Sequence, residues 1–259
     1  MLPKSRVIVF ARKSDVGWLI GLFICLGGQV VAEPLHSRVV CRQNITQQQR
    51  DELAGKLRRI TGWSELSFDR SGALQIGNRV FLGGSHSARS LITQSISGAS
   101  FIVLEDVSRH PDVAFARIIP GKLKGDIGNQ TPSFVVQIDF ADFQHLVGDR
   151  RARQAFDVGW ALLHELDHVV NDSVDAKDLG ETGACESHIN QMRRESGLPE
   201  RADYFFTYMP QTDGTFMTRL VRLAFADGNE NNSKKSRYWL VWDAQLVGGL
   251  PSQQVASIR

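Results

Sequence analysis

The sequence has little net charge, few cysteines, and neither internal repeats nor low-complexity tracts. Its 259 residues include 30 Lys and Arg against 28 Asp and Glu, a formal net charge of +2, and only three cysteines. The small charge argues against a nucleic-acid partner held mainly by bulk charge. With 42% hydrophobic and 22% charged residues, the chain can form one large or two small domains, which excludes a disordered chain or a repetitive fibre.

The first 32 residues have the layout of a secretory signal peptide. Basic residues precede an apolar run at residues 16–32, and Val30 and Ala32 place small side chains at the third and first positions before a cut. We expect cleavage after Ala32, which leaves residues 33–259 as a secreted or periplasmic domain without membrane attachment. The alternative is an uncleaved anchor, because the run reaches the lower limit for spanning a bilayer. Both alternatives export the rest of the chain.

Two cysteines, Cys41 and Cys185, remain after cleavage and lie far apart in the sequence. In an oxidising compartment such a pair can form one long-loop disulfide. Two buried thiols are the alternative. The sequence leaves both open.

The pattern of apolar residues and turn signals predicts a mixed or antiparallel sheet followed by helices and a closing hairpin. Helices are predicted at residues 44–62, 87–96, 151–170 and 182–196. Strands are predicted at residues 66–68, 73–76, 101–104, 113–119, 134–140, 215–225 and 237–241. The third helix is apolar on nearly every side, so we expect it to be buried. This is an α+β arrangement, with a possible break into subdomains near residue 148.

The buried helix contains the sequence HELDH at residues 164–168. At about 100° per residue, His164 and His168 lie about 40° apart and one turn from each other, so two imidazoles can bind one ion. Zinc bound by neutral histidines lowers the pKa of its bound water to about 7, and Glu165 is placed to take the proton from that water. Chance gives only roughly 0.007 such motifs in a chain of this composition.

Catalytic zinc usually has three protein ligands and one open position. Glu186 is the preferred third ligand, because it lies on the next predicted helix and the connecting loop lets the two helices pack as an antiparallel pair. Glu181 is the nearest rival, and His188 and Asp172 remain open. The acidic connection that contains Asp172, Asp175, Asp178 and Glu181 is otherwise expected to be a solvated loop, since it lacks the ligand spacing of a calcium loop.

HELDH followed by a helix that carries Glu186 resembles the zincin metallopeptidases, and specifically the gluzincin branch. The resemblance implies His164, His168 and Glu186 as zinc ligands and Glu165 as the general base. It also implies an edge strand above the helix that holds an extended peptide by β-augmentation, for which the strand at residues 134–140 is the candidate.

Three further residues have expected roles around this motif. Tyr204 is the preferred donor to the oxyanion that forms during hydrolysis, with Tyr208, His188 and Arg194 as alternatives. Asn190 follows Glu186 by one turn and is expected to hydrogen-bond a ligand histidine, although the family usually has an acidic residue there. Asp167 is expected to point away from the metal and to pair with a structural partner.

The sequence therefore predicts an exported, zinc-dependent hydrolase with a zincin-like α+β fold that cleaves a peptide or protein substrate. Hydrolysis of a non-peptide or cell-wall amide is the alternative among enzymes, because the motif does not select the acyl group. A metal-stabilised binding module without turnover is the alternative from another class. Glu165 argues against it, because a structural zinc site closes its fourth position and needs no base. The sequence predicts no oligomeric state.

Overall fold

The computed structural model describes residues 37–121, 131–209, 219–227 and 236–249. These residues belong to the unit Leu35–Arg259. The predicted signal peptide, residues 1–32, lies outside the described residues. No helix among the described residues is long and apolar enough to cross a bilayer. The subdomain break near residue 148 stays a prediction.

Five α-helices and eleven strands are present in the described residues. The helices are α1 (Gln47–Thr61), α2 (His86–Ser97), α3 (Arg150–Ala155), α4 (Val158–Asn171) and α5 (Gly183–Glu195). The strands are β1 (Val39–Cys41), β2 (Leu66–Phe68), β3 (Leu74–Ile76), β4 (Phe101–Asp106), β5 (Ala116–Pro120), β6 (Ser133–Ile138), β7 (Val147–Gly148), β8 (Glu200–Arg201), β9 (Thr207–Tyr208), β10 (Leu220–Ala226) and β11 (Arg237–Asp243). The mixed α+β class predicted from the sequence is confirmed.

Helix α1 forms where local sequence signals predict it. The Thr46 hydroxyl accepts a hydrogen bond from the Gln49 backbone N–H at 3.2 Å, and the Gln49 side chain accepts one from the Thr46 N–H at 2.8 Å. Gly62 ends the helix with φ +76°, a left-handed conformation that glycine adopts without steric cost. The capping box and the glycine stop are confirmed.

The single long helix predicted at residues 151–170 is wrong, because the chain breaks at Phe156 and Asp157 into α3 and α4. Asp157 is extended, and its carboxylate accepts hydrogen bonds from the backbone N–H groups of Gly159 and Trp160, which caps α4. The same carboxylate pairs with Lys56 and Arg59 of α1. The HELDH helix therefore starts at a capped terminus that is anchored to α1.

A four-stranded mixed sheet lies on one side of α4, in the order β1, β4, β6, β5. Strands β1, β4 and β6 are parallel, and β5 runs antiparallel to β6 with Ile118 opposite Val136. The prediction that residues 134–140 form the edge strand is wrong, because β6 lies between β4 and β5. Among the described strands, β5 is the outer one, and it packs next to α4.

A second, antiparallel sheet packs against α3 and α5. Its central pair is the hairpin of β10 and β11, with Leu223 opposite Leu240, which confirms the predicted closing hairpin. Residues 215–218 of the predicted first strand lie outside the described residues. Strands β8 and β9 pair with β10, and β7 pairs with β11.

The apolar side chains form two clusters, and α4 contributes to the larger one. That cluster combines α1, α2, α4 and the four-stranded sheet, whereas the second combines α3 with the antiparallel sheet. Cys41 and Cys185 are both buried and are separate thiols, so the disulfide alternative is not formed. Burial raises the pKa of the Cys41 thiol to about 12.

Candidate metal centre

The two histidines of the HELDH helix lie side by side on one face of α4. Their ring centroids are 4.8 Å apart, and both side chains are mostly buried. The Nε2 atom of each ring points at the same oxygen, Oδ1 of Asp175, at 3.0 Å for His164 and 3.5 Å for His168. The convergence of the two rings, predicted from helix geometry, is present.

Oδ1 of Asp175 lies at the spacing of metal ligands from both histidine nitrogens. This Oδ1 atom is enclosed and accepts no well-formed hydrogen bond from the described residues. Ligands about 2.0–2.1 Å from a tetrahedral zinc ion lie about 3.3 Å from one another, and the two observed separations, 3.0 and 3.5 Å, lie on either side of that value. These residues therefore fit a divalent metal ion.

The second nitrogen of each ring has an acceptor of its own. Nδ1 of His168 lies 2.8 Å from the carbonyl oxygen of Ser173, and Nδ1 of His164 lies 3.3 Å from Oε2 of Glu186. A carbonyl oxygen only accepts, so Nδ1 of His168 carries the proton. Nε2 is then free to bind a metal, which is the usual orientation of a histidine ligand.

The loop between α4 and α5 folds back to bring Asp175 to the histidines. Asp175 forms an isolated antiparallel bridge with Gly183, and the Cys185 N–H donates to the Val174 carbonyl at 3.1 Å. Gly183 has φ +74°, and a Cβ atom there would lie 2.3 Å from the Ala176 backbone nitrogen. This close approach requires glycine. The acidic connection is exposed at Asp172, Asp178 and Glu181, as the sequence predicts, whereas Asp175 turns toward the histidines.

Glu186 is close to this cluster but has other partners. Its carboxylate is 1% exposed and forms ion pairs with Arg193 and, at 3.1 Å, with Arg201, in addition to its contact with Nδ1 of His164. Burial would raise the pKa of Glu186, but the two guanidinium groups hold it well below its usual range. Glu186, the predicted third ligand, thus contacts the Nδ1 edge of the His164 ring, whereas Asp175 lies at the Nε2 edge.

The other residues considered as third ligands lie outside the cluster. Glu181 is exposed, and its carbonyl accepts from the Tyr204 N–H. The His188 ring contacts the Asp167 carboxylate at 2.9 Å. Asp172 is exposed and ends α4 with φ +50°. Asn190 contacts Arg193 and Arg201 rather than a histidine.

Cys185 is a group that sequence reasoning did not assign to the site. Its sulfur and the ligand atoms of His164, His168 and Asp175 all lie within 4.8 Å of one another. The thiol is fully buried and lies 3.4 Å from the carbonyl oxygen of His164, to which it donates. A cysteine directly before the predicted ligand Glu186 was the available sequence signal.

Glu165 lies beside the histidines with its side chain 7% exposed. Burial raises the pKa of Glu165, although the two histidines and the nearby backbone of Ile118 in β5 oppose the shift. A carboxylate with a raised pKa is better matched to accepting a proton near neutral pH. The position of Glu165 fits the role of a base and connects it to the outer strand.

Tyr204 packs against the metal-ligand cluster. Its ring stacks on that of His164, with 6.2 Å between centroids, and its hydroxyl lies near the Asp175 carboxylate. Burial is the main reason that the pKa of Tyr204 is raised, so the hydroxyl stays protonated and can donate. Of the alternatives considered for oxyanion stabilisation, Arg194 instead pairs with Glu200.

A cavity of about 170 Å³ opens beside His164 and Glu165. It lies between α4, the start of β5 and the antiparallel sheet. Six of the residues that line it are Phe or Trp, and Glu186, Arg193 and Arg201 also line it; the six are Phe115, Phe156, Trp160, Phe205, Phe206 and Trp242. Since a dry cavity of about 150 Å³ can hold a benzene molecule, this cavity has room for one bulky apolar side chain.

Comparisons with known protein families, with curated proteins and with solved structures found no match for this chain.

Proposed function

We propose that the protein is a zinc-dependent hydrolase with a zincin-like arrangement, and that it cleaves peptide bonds in an exported compartment. Its zinc ligands are His164, His168 and Asp175, and its general base is Glu165. Glu186 is the ligand expected from the resemblance to gluzincins. In this proposal it instead orients the His164 ring through its contact with Nδ1.

The observation that carries the proposal is the approach of the His164 and His168 Nε2 atoms to one oxygen of Asp175. A carboxylate oxygen in that position, without a well-formed hydrogen bond, favours a shared cation between the three groups. Zinc supplies Lewis acidity at such a site and lowers the pKa of water toward 7.

The chain's own residues provide the remaining chemistry. Glu165, in the cavity wall next to His164, accepts a proton from the attacking water and passes it to the leaving amine. Tyr204 donates its hydroxyl proton in a hydrogen bond to the oxygen of the attacked carbonyl when it releases Asp175. The aromatic wall of the cavity excludes bulk water around these groups, which strengthens both interactions.

Strand β5 is the element that holds an extended substrate in this proposal. It is the outer strand of the mixed sheet among the described residues, and Ile118 at its centre contacts Glu165. A peptide that adds to this edge by main-chain hydrogen bonds would bring a peptide bond next to the base. The aromatic cavity then takes a bulky apolar side chain beside that bond.

A metal-stabilised module without turnover is the second candidate, and Cys185 is the observation that favours it. If its sulfur became a fourth ligand, the position needed for water would be closed. The contact of the thiol with the His164 carbonyl and the presence of Glu165 in the cavity favour the hydrolase.

Glu165→Gln separates the two candidates. Wild type and variant are compared for bound zinc and for hydrolysis of a mixed peptide library. We expect equal zinc content and loss of turnover in the variant, because the amide keeps the shape and cannot accept the proton. Equal turnover in both proteins would remove Glu165 from the mechanism, and zinc binding without turnover in the wild type would favour the binding module. A library of non-peptide amides assayed in parallel tests the alternative substrate class.

A further inference from the structure

Asp167, the fourth residue of HELDH, is a buried carboxylate that the proposed hydrolysis does not use. It is 0% exposed and lines a different pocket from Glu165. As the sequence predicts, it pairs with residues other than the proposed zinc ligands. Burying a carboxylate costs several kcal/mol unless its oxygens are hydrogen-bonded. Its partners therefore indicate what this group does.

The three donors to Asp167 come from three different segments around the metal centre. Asn171 at the end of α4 donates to Oδ1 at 2.5 Å, and the Ser173 hydroxyl donates to Oδ2 at 2.6 Å. His188 of α5 contacts Oδ2 through Nδ1 at 2.9 Å. One carboxylate thus ties the helix, the turn that follows it and the next helix together.

Ser173 connects this carboxylate to two of the proposed zinc ligands. Its hydroxyl bonds to Asp167, while its carbonyl accepts the proton on Nδ1 of His168 at 2.8 Å. Asp175 follows Ser173 by two residues, and Asp172, directly before Ser173, has φ +50° at the end of α4. A displacement of Ser173 would therefore disturb both the ring orientation of His168 and the position of Asp175.

We propose that Asp167 is a positioning residue of the metal centre, which acts through Ser173 to fix the tautomer of His168 and the place of Asp175. This inference rests on the proposed metal site and not on the reaction carried out there. Residues that orient a ligand typically change metal affinity by about 10- to 100-fold.

The test measures zinc affinity by competition with a chelator in wild type, Asp167→Asn, Ser173→Ala and the double variant, each checked for folding by circular dichroism. We expect each single change to weaken binding about 10- to 100-fold. The double variant should bind no more weakly than the weaker single variant, since both changes act on the same contact: Ser173→Ala removes its donor and Asp167→Asn removes the charge of its acceptor. Ser173→Thr retains a hydroxyl and should restore most of the affinity.

Asp172→Asn is the matched control. It removes one negative charge from the same turn, at an exposed position, and asparagine tolerates a positive φ. We expect its zinc affinity to stay within about twofold of wild type, well below the effect of an orienting residue. Wild-type affinity in Asp167→Asn, an equal loss in Asp172→Asn, or additive losses in the double variant would each overturn the proposal.

Nitrogen NMR of the His168 ring in the metal-free protein, recorded at a pH high enough that the ring is neutral, separates this inference from the proposed function. We expect one tautomer with the proton on Nδ1 in wild type, and a mixture of tautomers in Asp167→Asn and Ser173→Ala. Unchanged ring signals in both variants would show that Asp167 does not orient His168. If the wild type bound no zinc but the variants still lost the single tautomer, the proposed metal site would be wrong. The contact that orients His168 would nevertheless stand.

Discussion

Nδ1 of His164 lies 3.3 Å from Oε2 of Glu186, whereas Nε2 of the same ring lies 3.0 Å from Oδ1 of Asp175. The two acids are therefore on opposite edges of one imidazole. An acid on the Nδ1 side orients the ring and increases its basicity, whereas an acid on the Nε2 side can share a metal with it. Loss of the Asp175 carboxylate and loss of the Glu186 carboxylate should therefore affect zinc affinity differently.

Asp175→Ala should abolish tight zinc binding, and Glu186→Gln should weaken it only about 10- to 100-fold, the range for a residue that orients a ligand. Glu186→Gln should also lower the thermal midpoint of the metal-free protein, because Arg193 and Arg201 lose their shared buried counter-charge. Chelator competition and thermal unfolding provide the two measurements.

Glu181→Ala is the control for these two variants, since Glu181 is exposed and lies on the same connection. It should leave zinc affinity and stability unchanged. If Glu186→Gln lost zinc more completely than Asp175→Ala, Glu186 would regain the role of third ligand.

Cys185→Ser should leave zinc affinity and turnover unchanged, because the thiol donates to the His164 carbonyl and serine keeps a donor at that position. The measurement is the absorption spectrum of the cobalt-substituted protein, in which a thiolate ligand produces an intense near-ultraviolet charge-transfer band. We expect this band to be absent from wild type. A strong band that disappears in Cys185→Ser would make the site four-coordinate and favour the binding module.

The parts of the fold that the sequence predicts are those controlled by neighbouring residues. The ends of α1 depend on contacts within three or four residues, Thr46 with Gln49 and Gly62 with the last turn, so they can be recognised locally. The break before α4 was missed because apolar residues continue through it. Its signal is the single cap Asp157, whose other partners come from α1.

The parts that could not be predicted depend on long-range pairing. Which strand lies at the edge of the sheet is decided by the order β4, β6, β5, which alternation within one strand does not encode. The position of Asp175 likewise depends on its bridge to Gly183 and on Ser173 bonding to Asp167. An acid at every third residue of a loop gives no indication of which one is turned inward.

Asp142 contacts Phe115 in the cavity wall and should make the free energy of unfolding depend on pH. Its carboxylate is 1% exposed and accepts from the backbone N–H of Phe115 at 2.9 Å, which holds that residue at φ +63°. Burial and then the nearby Asp139 raise the pKa of Asp142 to about 7. The folded protein therefore binds a proton that the unfolded chain, with a pKa near 3.9, has released between these values.

Because this folded-state pKa is raised, the stabilising contribution is complete below about pH 4 and is lost as pH rises toward 7. Asp142→Asn should remove this slope and be more stable than wild type at pH 8 by on the order of 1–3 kcal/mol. Urea unfolding at several pH values measures it. Asp112→Asn, at an exposed position, serves as the control, and a slope that persists in Asp142→Asn would assign the pH dependence to another group.

Ala161→Leu should change substrate preference without affecting the metal. Ala161 lies on α4 one turn before Glu165 and faces the aromatic cavity, so a leucine there would occupy part of its 170 Å³. For peptides that place Phe or Tyr in the cavity we expect kcat/KM to fall at least about 10- to 100-fold, since leucine adds three carbons and a mismatch of one methylene already costs about 1–3 kcal/mol. For peptides with alanine at that position, kcat/KM of the variant should be close to that of wild type, because the cavity that contains the new leucine still has room for a methyl group. Zinc content and thermal midpoint should match wild type, which separates a filled cavity from a damaged site. An equal fall for both kinds of peptide would mean that the cavity does not receive the substrate side chain.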